Sequence, residues 1–230
     1  MKSLTNLLRW DLLLLHRNQL IVISLVLAGL YLGLFYLLAD LGSLEKLLVL
    51  FIYNDPVVTG LLFIGALVLF EKDQHTLEAL AISPLSTDTY LWSKAISLTS
   101  VALGTSLIMA WAGHGWQFQY VHFIMGVIGA SLFYIFLGGW IVAQANSFNQ
   151  FLVRMIPLLI LTALPFIPFF GAASSVWFYP IPSYPSILLL QAAFEDISTM
   201  EIIYAYSYGT LAVVGSYYLA RATFRKHIWS

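Results

Sequence analysis

Cysteine is absent from the 230 residues, so disulfides and thiolate metal sites are excluded. Charge is nearly as scarce. Asp, Glu, Lys and Arg make up 9% of the chain, against roughly a quarter in soluble domains. No Gly-rich phosphate loop ending in Lys-Ser/Thr is present, so the chain does not hold ATP in that way. There is no HExxH, and His16, His75, His114, His122 and His227 are dispersed, which argues against a metal site and leaves no catalytic cluster. The start of the chain lacks a short apolar core followed by a small-residue cleavage site, so no cleavable signal peptide is expected. A net charge of −1 gives no electrostatic case for nucleic acid.

What is present is mostly apolar: 60% hydrophobic residues and a mean hydropathy of +0.87. Several apolar runs approach the roughly 20 residues that cross a bilayer as a helix. A transmembrane barrel would show short alternating segments instead. The expected fold is an all-α polytopic membrane protein, one transmembrane domain over residues 1–230, in contact with the lipid bilayer.

Residues 3–18 read as an amphipathic helix lying in the interface plane. Thr5, Asn6, Arg9, His16 and Arg17 share one face, with Leu13 intruding. Leu4, Leu7, Leu8, Leu12, Leu14 and Leu15 share the other, and Asp11 falls unexpectedly among them. Six spans are expected at about 20–39, 56–71, 95–112, 120–143, 152–170 and 202–220. Residues 40–55 read as a loop, and Asn54-Asp55-Pro56 as the start of the second span: a capping side chain, then proline in the first turn. The fifth span carries Pro157, Pro165 and Pro168, which predicts a bend or break. Residues 171–201 are too polar and Pro-broken to cross. Two short helices dipping into the outer leaflet and capping the bundle are expected there.

With six spans, Lys2, Arg9, Arg17, Lys72, Lys94, Arg154, Arg221, Arg225 and Lys226 fall on one side, and only Lys46 on the other. That asymmetry predicts a multi-pass protein of the bacterial inner (plasma) membrane with both termini cytoplasmic. No charged residue is expected deep inside the spans. Proton-coupled carriers and charged filters need such residues, so both are disfavoured, and the energy has to come from a partner. An ion-pair cluster is expected at the inner surface: Glu71 and Asp73 close the second span, with Arg9 or Arg17 as first partners and Arg154 or Lys94 next.

The most polar stretch runs from Glu71 to Lys94. It contains Thr76-Leu77-Glu78-Ala79-Leu80-Ala81-Ile82-Ser83-Pro84-Leu85, followed by Tyr90-Leu91-Trp92-Ser93-Lys94. Thr76 is placed to cap a short helix that Pro84 ends, with Leu77, Leu80 and Ala81 on one face. This loop resembles the second-to-third-span loop of type-2 ABC exporter permeases, and the layout of the rest is similar too. Leu8-Arg9-Trp10-Asp11, Asp55-Pro56, Glu71-Lys72 and Tyr90 to Lys94 look like bacterial drug-export permeases of the fluoroquinolone-exporter kind. The Leu-Glu-x-Leu and Pro-Leu pattern is also similar to the haem-exporter B permease of cytochrome c maturation.

The resemblance implies a membrane permease subunit of an ATP-driven multidrug exporter, not an enzyme by itself. It implies no cofactor bound by this chain, with ATP-Mg on two partner ABC ATPase subunits, and a second permease subunit, identical or a sister. Thr76, Leu77, Glu78, Leu80, Ala81 and Pro84 would form the coupling helix that inserts into the ATPase. A cavity between permeases would be lined from the second and fifth spans by Thr59, Phe63, Leu67, Pro157, Leu161, Pro165 and Phe166, suiting an amphipathic or lipid-like cargo. A non-transporting membrane scaffold with the same layout is the other expectation kept open.

Overall fold

A computed structural model describes residues 2–38, 43–81, 85–172 and 174–228. They form α1 (Lys2–Arg17), α2 (Leu20–Leu37), α3 (Leu44–Val57), a π-helical stretch (Val58–Phe63), α4 (Ile64–Asp73), α5 (Thr76–Ala81), α6 (Thr87–His114), α7 (Tyr120–Ala143), α8 (Phe148–Ala163), α9 (Phe166–Phe169), a 3-10 turn (Ser175–Phe178), α10 (Tyr184–Phe194) and α11 (Thr199–His227). No strand occurs among the described residues. Among the described residues, five helical stretches are long and apolar enough to cross a membrane: Leu20–Leu37, Leu44–Asp73, Thr87–His114, Tyr120–Ala143 and Phe148–Phe169.

Serines set several of the helix starts. Ser86 Oγ accepts from the Thr89 backbone N–H, Ser147 Oγ from that of Gln150, and Ser198 forms a reciprocal capping box with Glu201. Gly115, at φ 83°, ends α6 in a conformation that costs an L side chain.

The second span differs from the sequence reading. It begins at Leu44, and Asp55 and Pro56 sit inside one continuous helix that runs to Asp73. Pro56 deprives the carbonyl of Ile52 of its donor, and the local irregularity continues into a π adjustment. Asn54 Nδ2 donates to Leu50 O at 2.8 Å, Thr59 Oγ1 donates to Asp55 O at 2.8 Å, and the π stretch follows at once. Asp55 is therefore a membrane-embedded acid, buried to 1% exposure. The expectation that the spans contain none was wrong, and with it falls the argument against cation-coupled chemistry.

The fifth span breaks where its prolines predict. α8 ends at Ala163, Pro165 starts the single turn of α9, and Gly171 at φ 80° closes it; Pro157 stays inside α8. Of the 171–201 segment, α10 is packed into the bundle against α7, α11 and α3. Ser183 Oγ donates to Thr162 O at 2.8 Å, and Tyr208 OH to Pro180 O at 2.6 Å, tying the segment down on both sides. α2 and α8 lie at the periphery, each with 22% of its apolar window buried.

The core centres on α7. Its Gly138 lets the π stretch approach: a Cβ there would lie 2.5 Å from Ile64 Cγ2, 3.1 Å from Gly60 O and 3.2 Å from Leu61 Cα. Two of these three are backbone atoms and cannot step aside. Gly138→Val should therefore destabilise the protein by about 1–3 kcal/mol through overpacking, read as a lowered melting temperature in detergent. Gly29→Ala, where a Cβ meets nothing within 4 Å, should leave the melting temperature unchanged or raise it. Equal melting of the two variants would refute the close approach.

Candidate functional site

The end of the bundle that carries α1 and α5 holds a buried charge cluster. α6 supplies Tyr90, Ser93 and Lys94 at i, i+3 and i+4, so all three project from one face of its second turn. Lys94 Nζ lies 2.5 Å from Asp11 Oδ1 of α1 and 2.5 Å from Glu71 Oε1 of α4. Tyr90 OH donates to Glu71 Oε2 at 2.6 Å, and Ser93 Oγ donates to Asp11 Oδ2. Asp11 and Lys94 are 0% exposed and Glu71 4%. One ammonium thus joins three helices.

Glu71 does pair with a basic group, but the partner is Lys94. Arg9 and Arg17 are exposed on α1, and Asp73 is exposed at the end of α4. The physical reason is helical phase. α1 turns Leu7, Leu14 and Leu15 inward while Leu12 stays exposed, and Asp11, which looked misplaced among the leucines, is the residue that reaches Lys94. Lys94 itself lies inside α6, since that helix starts at Thr87 rather than near residue 95.

Two further basic groups stitch the same end. Lys72 Nζ donates to the carbonyls of Val142, Ala143 and Ala145 at 3.0, 3.2 and 2.9 Å, satisfying the acceptors left open where α7 ends. Arg221 of α11 holds Asp88 of α6 at 2.6 Å, with Tyr217 OH donating to the same carboxylate at 2.7 Å.

α5 follows α4 after His75, whose φ of 54° is one of two left-handed non-glycine conformations among the described residues. That corner turns α5 back toward the bundle. Leu77 is then 2% exposed and belongs to the core, and Leu80 packs partly against it. The reading of Leu77 as a free docking anchor is corrected: a six-residue helix cannot stand alone, so the chain uses Leu77 to seat it. Thr76 is the first helical residue and half-buried. The side chains of Glu78 and Ala81, and Pro84 altogether, lie outside the described residues. Beside α5, a cleft of about 510 Å³ opens between Lys72, Asp73, Leu77, Gln144, Asn146 and His227.

The expected cavity lining divides in two. Thr59, Phe63 and Leu67 are buried within this chain, and Pro165 is buried at the break between α8 and α9. The π stretch that carries Thr59 and Phe63 packs on α7, which removes that face from any cavity open to this single chain. Pro157 and Leu161 remain exposed on α8, and Phe166 is half-buried.

The Lys94 cluster gives a direct test. Lys94→Met leaves two buried carboxylates without their cation, and breaking a buried pair costs about 3–5 kcal/mol. The variant should lose most of its heat-resistant monodisperse fraction in size-exclusion chromatography. Combining it with Asp11→Asn and Glu71→Gln removes all three charges and should restore much of the loss. A Lys94→Met protein as stable as the parent would show that the ammonium is not what holds the three helices.

The profile of the fluoroquinolones export permease protein family matches residues 2–230. Among curated proteins, the fluoroquinolones export permease proteins of two Mycobacterium tuberculosis strains, CDC 1551 / Oshkosh and ATCC 25618 / H37Rv, are each 28% identical to this chain over 178 residues, covering 76% of this chain and 75% of the relative. The match takes in the whole helical bundle, the buried Lys94 cluster and the short helix α5, and the chain belongs to the fluoroquinolones export permease protein family, as a membrane permease for export.

Proposed function

We propose that this chain is the membrane half of an ATP-driven ABC exporter that moves amphipathic, aromatic small molecules out of the bacterial cytoplasm across the inner membrane. It works with two ATPase subunits, which bind the ATP-Mg, and with a second permease subunit. The observation that carries this reading is the rigid block at one end of the bundle. Lys94 clasps α1, α4 and α6, Lys72 adds the end of α7, and Leu77 fixes α5 to the same block. A partner that pushes on α5 or enters the cleft beside it would move those helices together. The relatives' names speak of fluoroquinolone export, and fluoroquinolones are flat aromatic amphiphiles of the proposed class. The cargo path then runs along the exposed side of α8, at Pro157 and Leu161, between this chain and its second subunit.

Six crossings follow if α11 is counted as the sixth span, with α1 in the interface plane and α10 re-entrant from the outer side. Both termini and α5 are then cytoplasmic. Because the chain has no cysteine, single cysteines can be placed in it directly. Ser43→Cys and Ser174→Cys, both at exposed positions, should react with an impermeant maleimide added to whole cells, and Ser86→Cys only after the membrane is opened. Labelling of Ser86→Cys in intact cells would overturn the orientation.

The ATPase partnership is tested at α5. Glu78→Lys should reduce the ATPase recovered per permease after detergent purification by about tenfold, while the melting temperature of the permease stays unchanged. Leu77→Ala should lower both, since deleting a buried leucine side chain costs about 2–5 kcal/mol. If no ATPase copurifies with the parent protein, the scaffold reading takes over.

A further inference from the structure

Asp55 differs from the other buried carboxylates of this protein. Asp11 and Glu71 share an ammonium, whereas Asp55 forms no salt bridge among the described residues. It lies 11 residues into the continuous helix Leu44–Asp73, about 16 Å from its start at the usual rise per residue. One of its oxygens is bonded: Thr105 Oγ1, from α6, donates to Asp55 Oδ2 at 2.5 Å. The hydroxyls of Ser24 on α2 and Ser106 on α6 face the same carboxylate. Asp55 Oδ1, Ser24 Oγ and Ser106 Oγ are all buried, and none has a hydrogen-bond partner among the described residues. Two helices therefore bring hydroxyls to one carboxylate, those of Ser24 and Ser106 close enough to donate to it on rotation, and no cationic side chain pairs with it among the described residues.

The electrostatic surroundings are neutral. From α2, Ser24 lies beside the carboxylate and Tyr31 is within electrostatic range of it, and from α6 come Thr105 and Ser106. α7 and α10 carry the buried tyrosines Tyr134, whose hydroxyl lies 2.9 Å from that of Tyr53, and Tyr184, while His122 of α7 is engaged with the Tyr206 hydroxyl at 2.8 Å. An ionised carboxylate so placed would have lost its water without gaining a counter-charge, at a cost far above the several kcal/mol of an unpaired neutral group. Buried acids inside membrane spans are held at such cost where they bind ions or protons.

We propose that Asp55, with Ser24, Thr105 and Ser106, forms a binding site for a monovalent cation within the membrane. The proton is the occupant that the tight packing of α2, α3 and α6 admits without movement, and a dehydrated sodium ion is the other source of the same charge. Bound, the cation neutralises Oδ1; as a proton it turns that oxygen into a donor for Ser24 or Ser106. Release requires water to reach Oδ1. The least enclosed wall is α2, which supplies Ser24 and has most of its length exposed. The proposal does not depend on the ATPase reading, since the site lies within one chain and is read without any partner.

The test is infrared spectroscopy of the purified full-length protein in nanodiscs, comparing the parent with Asp55→Asn. The measurement is made first in choline chloride at neutral pH and then in sodium chloride. A protonated carboxylic-acid carbonyl band in the parent, missing from Asp55→Asn and unchanged by sodium, identifies the occupant as a proton. The same band converting to carboxylate bands when sodium replaces choline identifies a site where sodium displaces the proton, and supports the proposal equally. Carboxylate bands in choline buffer, with no acid band between pH 5 and pH 8, overturn it. Should Asp55→Asn fail to fold, parent protein labelled with carbon-13 at the aspartate carboxyl decides the matter alone. Asp11 and Asp88 are ion-paired, Asp73 and Asp196 are exposed, and Asp40 lies outside the described residues, so the label is placed in an Asp40→Asn background, where a shifted acid band at neutral pH belongs to Asp55.

Discussion

The fold depends on how a single buried ammonium is satisfied. Desolvating a lysine costs several kcal/mol, and two carboxylates return more than one would only if their own remaining lone pairs are also bonded. Here they are. Lys94 takes one oxygen of Asp11 and one of Glu71, Ser93 donates to the second oxygen of Asp11, and Tyr90 to the second oxygen of Glu71. The cluster carries one formal negative charge in excess, and the two hydroxyl donors spread it. All three donating side chains come from one turn of α6, whereas the acceptors come from α1 and α4. The interfacial helix and the end of the second span are thus held by the same few atoms, and neither can move without the other.

Much of this arrangement was legible beforehand. The apolar runs give the helices, and Lys72, Lys94 and Arg221, grouped on one side in the sequence reading, stitch one end of the bundle. The break in the fifth span follows from Pro165 and Pro168. What misled was context. Asn54-Asp55-Pro56 carries the signature of a helix start, and here the same residues sit mid-helix, where Asn54 and Thr59 turn their side chains to the carbonyls of Leu50 and Asp55 and a π stretch follows at once. No local pattern separates the two cases. Arg9 and Arg17 seemed the natural partners for Glu71 because arginine reaches far. The spacing Tyr90, Ser93, Lys94, together with an aspartate on the apolar face of the first helix, was the signal that pointed to the actual cluster.

Leu77 teaches a related lesson. An apolar face on a short helix between two spans can serve a partner or the chain itself. Six residues make too few internal hydrogen bonds to persist without tertiary support, so the chain's own demand comes first. The left-handed turn at His75 shows the chain accepting backbone strain to bring Leu77 home. Residues that contact a partner on α5 must then be those that remain after Leu77 is withdrawn.

The π stretch connects the two buried acids of the second span. Asp55 and Glu71 are 16 residues apart, which on a regular helix at about 100° per residue would place them about 160° apart, on opposite faces. A π turn amounts to one inserted residue and shifts everything beyond it by about 100°. The two carboxylates then lie about 60° apart and both face α6. On α6 their partners, Lys94 and Thr105, are 11 residues apart and fall within about 20° of one another, so a single face of that helix meets both. Without the π stretch one of the acids would be turned away from its hydrogen-bond donor into apolar surroundings. Gly60, inside the stretch, and Gly138, opposite it, allow the widened turn to fit against α7. The irregular backbone is therefore what permits one helix to carry a paired carboxylate at its end and an unpaired one in its interior, both addressed to the same neighbour.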